Sequence, residues 1–292
     1  MLFSIVVPTY NREKFIHSTI ESLLKQRYRD FEIIVVDDGS TDNTESVVGK
    51  IGDARVRYFK KENGERGAAR NFGALQAKGD YINFFDSDDI AYPDHLNLAF
   101  DKISKHGNME IFHFAYDVVD EQGNTLNTKR VEEQTINSSL INGNHLSCNC
   151  VFVRRDIAWQ YRFNEDRRLS ASEDYELWLR IAARFPFRSF EEVTTAIVNH
   201  DERSVITTKG SALRQRITSL QEYLMADQQF VTYYQRDLPV FKAYLNIYLA
   251  LHLGMAGEKF SVGQAYLSEA ARIYPPVIFT RRFIAAVRAL LF

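Results

Sequence analysis

The chain has 292 residues, 45% of them hydrophobic and only 6 of them proline. That composition describes a compact globular protein with an ample core and excludes a disordered one. A formal net charge of −2 and a pI near 6.4 argue against a general nucleic-acid binder, which normally carries a basic excess.

In chain order, Leu2 to Val7 starts a strand at once, with no basic leader region and no cleavage site. It closes in Pro8-Thr9-Tyr10-Asn11, and Phe15, Ile16, Ile20, Leu23 and Leu24 then share one helical face. Phe31 to Val36 is a second buried strand running into Asp37-Asp38-Gly39-Ser40. Ser40 or Thr41 is a natural N-cap for the helix that follows. Val56 to Phe59 makes a third strand, and a helix around Ala68 to Ala77 leads to a fourth at Tyr81. Apolar strands separated by helices indicate a parallel sheet covered on both faces, a doubly wound α/β fold.

That fourth strand ends abruptly in Asp86-Ser87-Asp88-Asp89, three carboxylates within four positions. Carboxylates at the carboxyl edge of a parallel sheet, with no His/Cys cluster beside them, suit a hard divalent cation, Mg²⁺ or Mn²⁺, shared with nucleotide phosphates. The alternative is a solvated acidic turn capping the helix after Pro93. Each earlier strand also ends in groups fit for a nucleotide: Tyr10 could lie beside a base, and Asp37 or Asp38 could accept from a base N–H. The loop from Asn63 to Asn71 carries Gly64, Gly67 and Arg70 into a helix and suits an anion. Neither the dinucleotide G-x-G-x-x-G spacing nor the P-loop is present.

Ser4-Ile5-Val6-Val7-Pro8-Thr9-Tyr10-Asn11, Val35-Val36-Asp37-Asp38-Gly39-Ser40-Thr41-Asp42, Gly67-Ala68-Ala69-Arg70-Asn71 and Phe85-Asp86-Ser87-Asp88-Asp89, in that order, resemble family 2 glycosyltransferases of the GT-A fold. The match is close over about the first hundred residues and looser to about residue 205. The resemblance implies a nucleoside-diphosphate-sugar donor and inversion at the anomeric carbon. By position Thr9, Tyr10, Asp38 and Arg70 would hold the nucleotide, with Pro8, Asp37 and Ser87 in the same motifs. Asp86 would lie near the ribose, and Asp88 and Asp89 would hold the metal or approach the donor sugar.

Further along, Met109 to Tyr116 alternates like a strand, Asp120 to Asn124 reads as a polar hairpin, and Cys148 to Val153 as another strand. Cys148 and Cys150, the only cysteines, lie too close for a disulfide framework and read as reduced thiols of a cytoplasmic protein. Ala171-Ser172-Glu173-Asp174-Tyr175 resembles the family's Glu-Asp motif at a helix start, with Ser172 where Gly is frequent. The resemblance implies Asp174 as general base and Glu173 as its neighbour or an acceptor ligand. The bland reading is an acidic first turn favoured by the helix dipole. His200 stands where the family often has a residue closing over the diphosphate or the metal, although a solitary His is commonly a core or surface residue.

Beyond about residue 209, Leu213, Ile217, Leu220 and Leu224 recur at helical spacing and the composition becomes helical. The expected organisation is a nucleotide-sugar-binding half over 1–105, an acceptor-binding half over 106–208, and a helical appendage over 209–292. No apolar run reaches the length of a membrane span. The last helix, Thr280 to Phe292, sets Phe283, Val287, Leu290 and Leu291 opposite Arg281 and Arg288. That face could lie in an anionic membrane surface, pack on the protein itself, or join a homo-oligomer.

The Gln-x-x-Arg-Trp motif and membrane helices of processive members are missing, which favours a single transfer per binding event. The expected activity is inverting sugar transfer to a hydroxyl of a glycan or lipid-linked acceptor in surface polysaccharide synthesis, from a donor that is UDP-linked. A sugar nucleotidyltransferase would carry a Gly-rich basic loop after the first strand. A non-catalytic sugar-nucleotide binder would have no reason to keep carboxylates at every motif.

Overall fold

The computed structural model describes residues 1–200, 210–258 and 260–291. The expected boundary at 208 and Phe292 of the terminal helix lie outside them. The chain forms two compact units, each assembled from separated segments. One comprises Met1–Ile136, Leu146–Arg167 and the segment from Phe185. The other comprises Asn137–His145, Arg168–Arg184 and the described residues beyond 209.

The first unit is built on one ten-stranded sheet. Its strands are β1 (Phe3–Thr9), β2 (Phe31–Asp37), β3 (Val56–Lys60), β4 (Tyr81–Phe84), β5 (Ile90–Ala91), β6 (Ile111–Val119), β7 (Thr125–Lys129), β8 (Gln134–Thr135), β9 (Val151–Arg154) and β10 (Phe187–Val198). The order is β3-β2-β1-β4-β9-β6-β10-β5, with β7 on β6 and β8 on β10. β3, β2, β1 and β4 run parallel, as do β6 and β10, whereas β9 is antiparallel to both β4 and β6. β1 and β2 are buried at every position, which is why they read as unbroken apolar runs and not as alternating ones. Their carboxyl ends and that of β4 are in register: Val6 pairs with both Ile34 and Phe84. The loops that follow therefore emerge along one edge.

Helices α1 (Ile16–Leu24), α2 (Thr44–Gly49), α3 (Glu65–Gln76) and α4 (His95–His106) connect the strands of this half. α3 lies close on β1 because Gly73 leaves room: a Cβ there would stand 2.3 Å from a Val6 methyl. One expected strand begins later than its sequence suggests. Cys148–Cys150 is a 3₁₀ turn, with Asn149 N–H donating to Ser147 Oγ, and β9 starts at Val151. Both cysteines are free and buried.

In the second unit, α7 (Glu173–Ala182) stands with α8 (Gly210–Ala226), α9 (Gln228–Tyr233), α10 (Leu238–Met255), α11 (Phe260–Ile273) and α12 (Arg281–Leu291), after the short α5 (Asn137–Leu140) and, in the first unit, α6 (Arg155–Gln160). Leu213, Ile217, Leu220 and Leu224 of α8 are buried, as their spacing predicts. Of the outcomes open to the apolar face of α12, the structure shows packing on the protein itself. Ala286 and Leu290 belong to a core with α10 and α11, and Phe283 and Val287 pack against it. Two glycines make the seat: a Cβ on Gly263 would stand 2.1 Å from Leu290, and one on Gly254 would stand 2.7 Å from the Ala289 backbone. Only Leu291 of the expected set stays exposed. No helix among the described residues is long and apolar enough to cross a membrane.

Candidate active site

The loops after β1 and β2 are laced together by side chains. Asn11, in the left-handed region at φ 50, donates its N–H to Ser40 Oγ (2.9 Å) and accepts from Thr41 N–H through Oδ1 (2.9 Å). Arg12 N–H donates to Thr44 Oγ1 (2.9 Å), Glu13 N–H donates to Asp42 Oδ2 (3.1 Å), and Asn43 N–H donates to Glu13 Oε2 (2.9 Å) across the same seam. Asn tolerates the left-handed conformation through such local bonds, so a short polar run yields a fixed platform. Pro8 and Thr9 are buried beneath it, while Tyr10 stands 47% exposed. Thr9 Oγ1 is buried with no hydrogen-bond partner among the described residues, a donor left unused.

The two aspartates after β2 are both buried and differ in what holds them. Asp37 accepts from Ser40 N–H (2.7 Å) and from Tyr58 hydroxyl (2.5 Å). Burial, with the bond to Asp37 and its charge adding to it, pushes the Tyr58 hydroxyl far above the usual phenol range. Asp38 accepts from Lys61 Nζ (2.7 Å) and from Gly64 N–H (2.9 Å) through one oxygen, which ties the β2 turn to the entrance of α3. Gly39 makes the intervening turn at φ 85.

The turn after β4 is constructed, not solvated: Ser87 and Asp89 are buried. Asn149 is the clamp. Its Oδ1 accepts from Asp86 N–H (2.7 Å) and its Nδ2 donates to Asp89 (2.7 Å). The other Asp89 oxygen accepts from Val198 N–H (2.9 Å), and its carbonyl accepts from Thr19 Oγ1 (2.9 Å). Asp86 takes a charge-assisted bond from buried Arg70 (2.8 Å), whose guanidinium lies over the Phe163 ring. Asp88 faces a different set: His200 Nε2 is 3.2 Å and Arg12 Nε 3.4 Å from the same carboxylate oxygen. The His200 ring is stacked on Phe15 at 4.3 Å, so the imidazole is held in place from below.

Asp88 and His200 thus bring one carboxylate oxygen and one imidazole nitrogen to a common point. The other ligand expected there, Asp89, has both oxygens committed to Asn149 and Val198. Among the described residues no group of three His, Cys, Asp or Glu side chains converges as an ion cage. Asp88 and His200 are the residues that would hold a Mn²⁺-type ion, since such ions accept mixed oxygen and imidazole donors, and Arg12 would then have to yield the shared Asp88 oxygen.

Glu173 and Asp174 open α7 in the second unit. Ala171, at φ 68, turns the chain into the helix, and Glu176 N–H donates to the Ser172 carbonyl (3.1 Å). Glu173 is buried. Asp174 is half-buried and accepts from Asn144 Nδ2 (3.0 Å) and Tyr175 N–H (2.7 Å). Glu176, one residue past Tyr175, is buried and paired with Arg180 (2.7 Å), and burial raises its carboxyl above the usual range against that pairing.

Four contributors were not evident from sequence: Asn149, Arg12, Phe15 and Lys61. Asn149 lies 60 residues from Asp89 and is a polar residue inside an apolar run. That oddity was its only signal.

Residues 4–162, more than half of the chain, match the family described as Glycosyl transferase family 2. A glycosyltransferase of Rickettsia conorii is 34% identical over 212 residues, covering 69% of this chain and 35% of that protein. Chondroitin synthase of Escherichia coli is 28% identical over 211 residues, covering 70% of this chain and 30% of the synthase. The chain therefore spans about a third of the length of these relatives. Among solved structures, S. aureus TarS 1–349 in complex with UDP-GlcNAc superposes with a TM-score of 0.64 at 20% identity, over 95% of this chain and 90% of that one. The mannosyltransferase PcManGT of Pyrobaculum calidifontis, in complex with GDP-Man and Mn²⁺, gives 0.61 at 19% identity over 99% and 87%. The mostly parallel sheet with motif-bearing loops at its carboxyl edge is the GT-A architecture, and the chain belongs to glycosyltransferase family 2.

Proposed function

We propose that the chain transfers a sugar, with inversion, from a nucleoside-diphosphate donor to a hydroxyl of a glycan or lipid-linked acceptor in surface polysaccharide synthesis. The observation that carries this reading is the built acidic turn: Asn149 fixes Asp86 and Asp89 and leaves Asp88 beside His200. A merely solvated turn would not bury Ser87 and Asp89. The donor-bound state of TarS and the synthase relative support a nucleotide sugar and a polysaccharide product; UDP is the favoured carrier. An acceptor carried on lipid would bring the protein to the cytoplasmic face of a membrane.

Exposed Tyr10 offers a face for the base, and the unused Thr9 hydroxyl offers a bond to the nucleoside. Arg70 holds Asp86 in position for the ribose. Asp88 and His200 would hold a divalent ion, which when bound supplies positive charge against the leaving diphosphate. Asp89 holds the turn. Asp174, half-buried and so reachable, accepts the proton of the acceptor hydroxyl as its oxygen bonds to the anomeric carbon. The sugar–phosphate bond breaks on the opposite side and its electron pair leaves with the diphosphate.

The test is release of nucleoside diphosphate from a panel of nucleotide sugars in Mn²⁺, scored beside the thermal shift each produces. A true donor at a hundredfold over its Kd stabilises by about 2.7 kcal/mol, and release accompanies it. Stabilisation by a nucleotide sugar with no release under any acceptor or metal condition would favour a binding protein.

A further inference from the structure

The strongest unexplained feature of the second unit lies at its last turn and helix. Pro275–Phe279 forms a 3₁₀ turn anchored by buried Val277. Thr280 then leads into α12, accepting from Phe283 N–H through Oγ1 and from Ile284 N–H through its carbonyl. The turn is thus fixed at both ends, yet it carries Phe279 83% exposed and Ile278 40% exposed. Along α12, Arg281, Ile284, Arg288 and Leu291 fall on the stripe away from the packed face, with Ile284 46% and Leu291 57% exposed. Water is a poor solvent for an ordered, outward-facing phenylalanine that follows exposed Ile278 and precedes exposed Ile284 at the first turns of the helix.

The charge of this surface is one-signed. Residues 270–292 contain four arginines and no aspartate or glutamate. Arg272 is paired with Glu269 (2.6 Å), and Arg282 donates to the Asn142 carbonyl and lies over Tyr244. Arg281 and Arg288 have no acidic partner among the described residues.

We propose that this surface, with Phe279 at its tip and Arg281 and Arg288 on its flank, docks on an anionic lipid bilayer. Apolar tips enter the boundary between headgroups and chains while the guanidinium groups meet lipid phosphates. Charge decides between a membrane and a second copy of the chain. A two-fold contact through this patch would set Arg281 and Arg288 against their own images with no carboxylate between them. Of the apolar face legible in the sequence only Leu291 belongs to this surface, since Phe283, Val287 and Leu290 are spent on packing. The inference stands apart from the sugar-transfer reading and survives or fails without it.

The experiment is flotation of the full chain with phosphatidylcholine vesicles containing or lacking phosphatidylglycerol, with light scattering and melting run on every variant. Wild type is expected to float with the anionic vesicles only, and less so at high salt. Each arginine near an anionic surface is worth roughly fivefold in binding, so Arg281→Glu/Arg288→Glu should cut the partition coefficient, read from a lipid titration, by at least about twentyfold. Phe279→Asp should cut the partition coefficient about tenfold, and all variants should melt with the wild type because none of these side chains is buried. No flotation of wild type, or flotation indifferent to both variants, overturns the proposal. A wild-type dimer that the arginine variant dissociates assigns the surface to self-association and overturns it equally.

Discussion

Asn149 carries two duties with one amide, and its replacement separates them. Asn149→Ala leaves the buried Asp89 carboxylate short of one donor and frees the Asp86 N–H. Removing a partner from a buried charge costs more than the bond itself returns, so urea denaturation should show a loss of about 3 kcal/mol. Nucleotide affinity should fall with it, since the turn that presents Asp88 is no longer held. The companion change is Asp174→Asn, which keeps shape and removes the proton acceptor. It should bind nucleotide sugar normally and transfer about 10²–10⁴-fold more slowly in single turnover. A loss of donor affinity matching the loss of rate would move Asp174 into the binding site. At this scale the motif residues were legible because carboxylates ending an apolar strand are improbable without a use. Asn149 and Phe15 were not, because their partners lie far along the chain and only folding brings them together.

Between elements, close approach is set by small residues that hydrophobic periodicity does not register. α3 touches β1 at Gly73, where a methyl group would meet Val6. Overpacking of this kind costs about 1–3 kcal/mol, so Gly73→Ala should lower the melting temperature although Ala favours the helix. An unchanged melting temperature would mean that α3 can shift from the sheet. The same blindness explains α12: its apolar stripe was plain in the sequence, but the seats at Gly254 and Gly263 that consume it were not. Where α4 begins, His95 is fully buried, with Nε2 3.3 Å from Asn83 Oδ1, and burial alone drops its pKa from 6.5 to about 3. The unfolded chain therefore takes up a proton below pH 6.5 that the folded chain refuses, and stability is complete above that pH. It should decline between pH 6.5 and about 3, by up to about 2 kcal/mol at pH 5. His95→Gln should flatten that part of the stability–pH curve. An identical slope in the variant would assign the acid sensitivity to other groups.

For the molecule as a whole, strands β1, β2 and β4 were readable because a strand buried on both faces has no polar alternation to obscure it. The antiparallel insertion of β9 between β4 and β6 was not, since nothing in Cys148 to Val153 states which strands it will join. The interleaving of the two units is equally hidden: Asn137–His145 and Arg168–Arg184 leave the order of the chain to join the helices beyond residue 209. The motifs that follow β1, β2 and β4 nonetheless came out at one sheet edge, because parallel strands in register deliver their carboxyl ends together. The central claim is that this edge binds a nucleoside diphosphate with a divalent ion held by Asp88 and His200. Calorimetric titration of UDP into the full chain, with Mn²⁺ and again with chelator, tests it most directly. The account predicts at least tenfold tighter binding in Mn²⁺, with Asp88→Asn losing that gain and keeping the metal-free affinity. Equal affinity in both buffers, or an Asp88→Asn variant that still responds to Mn²⁺, would contradict it.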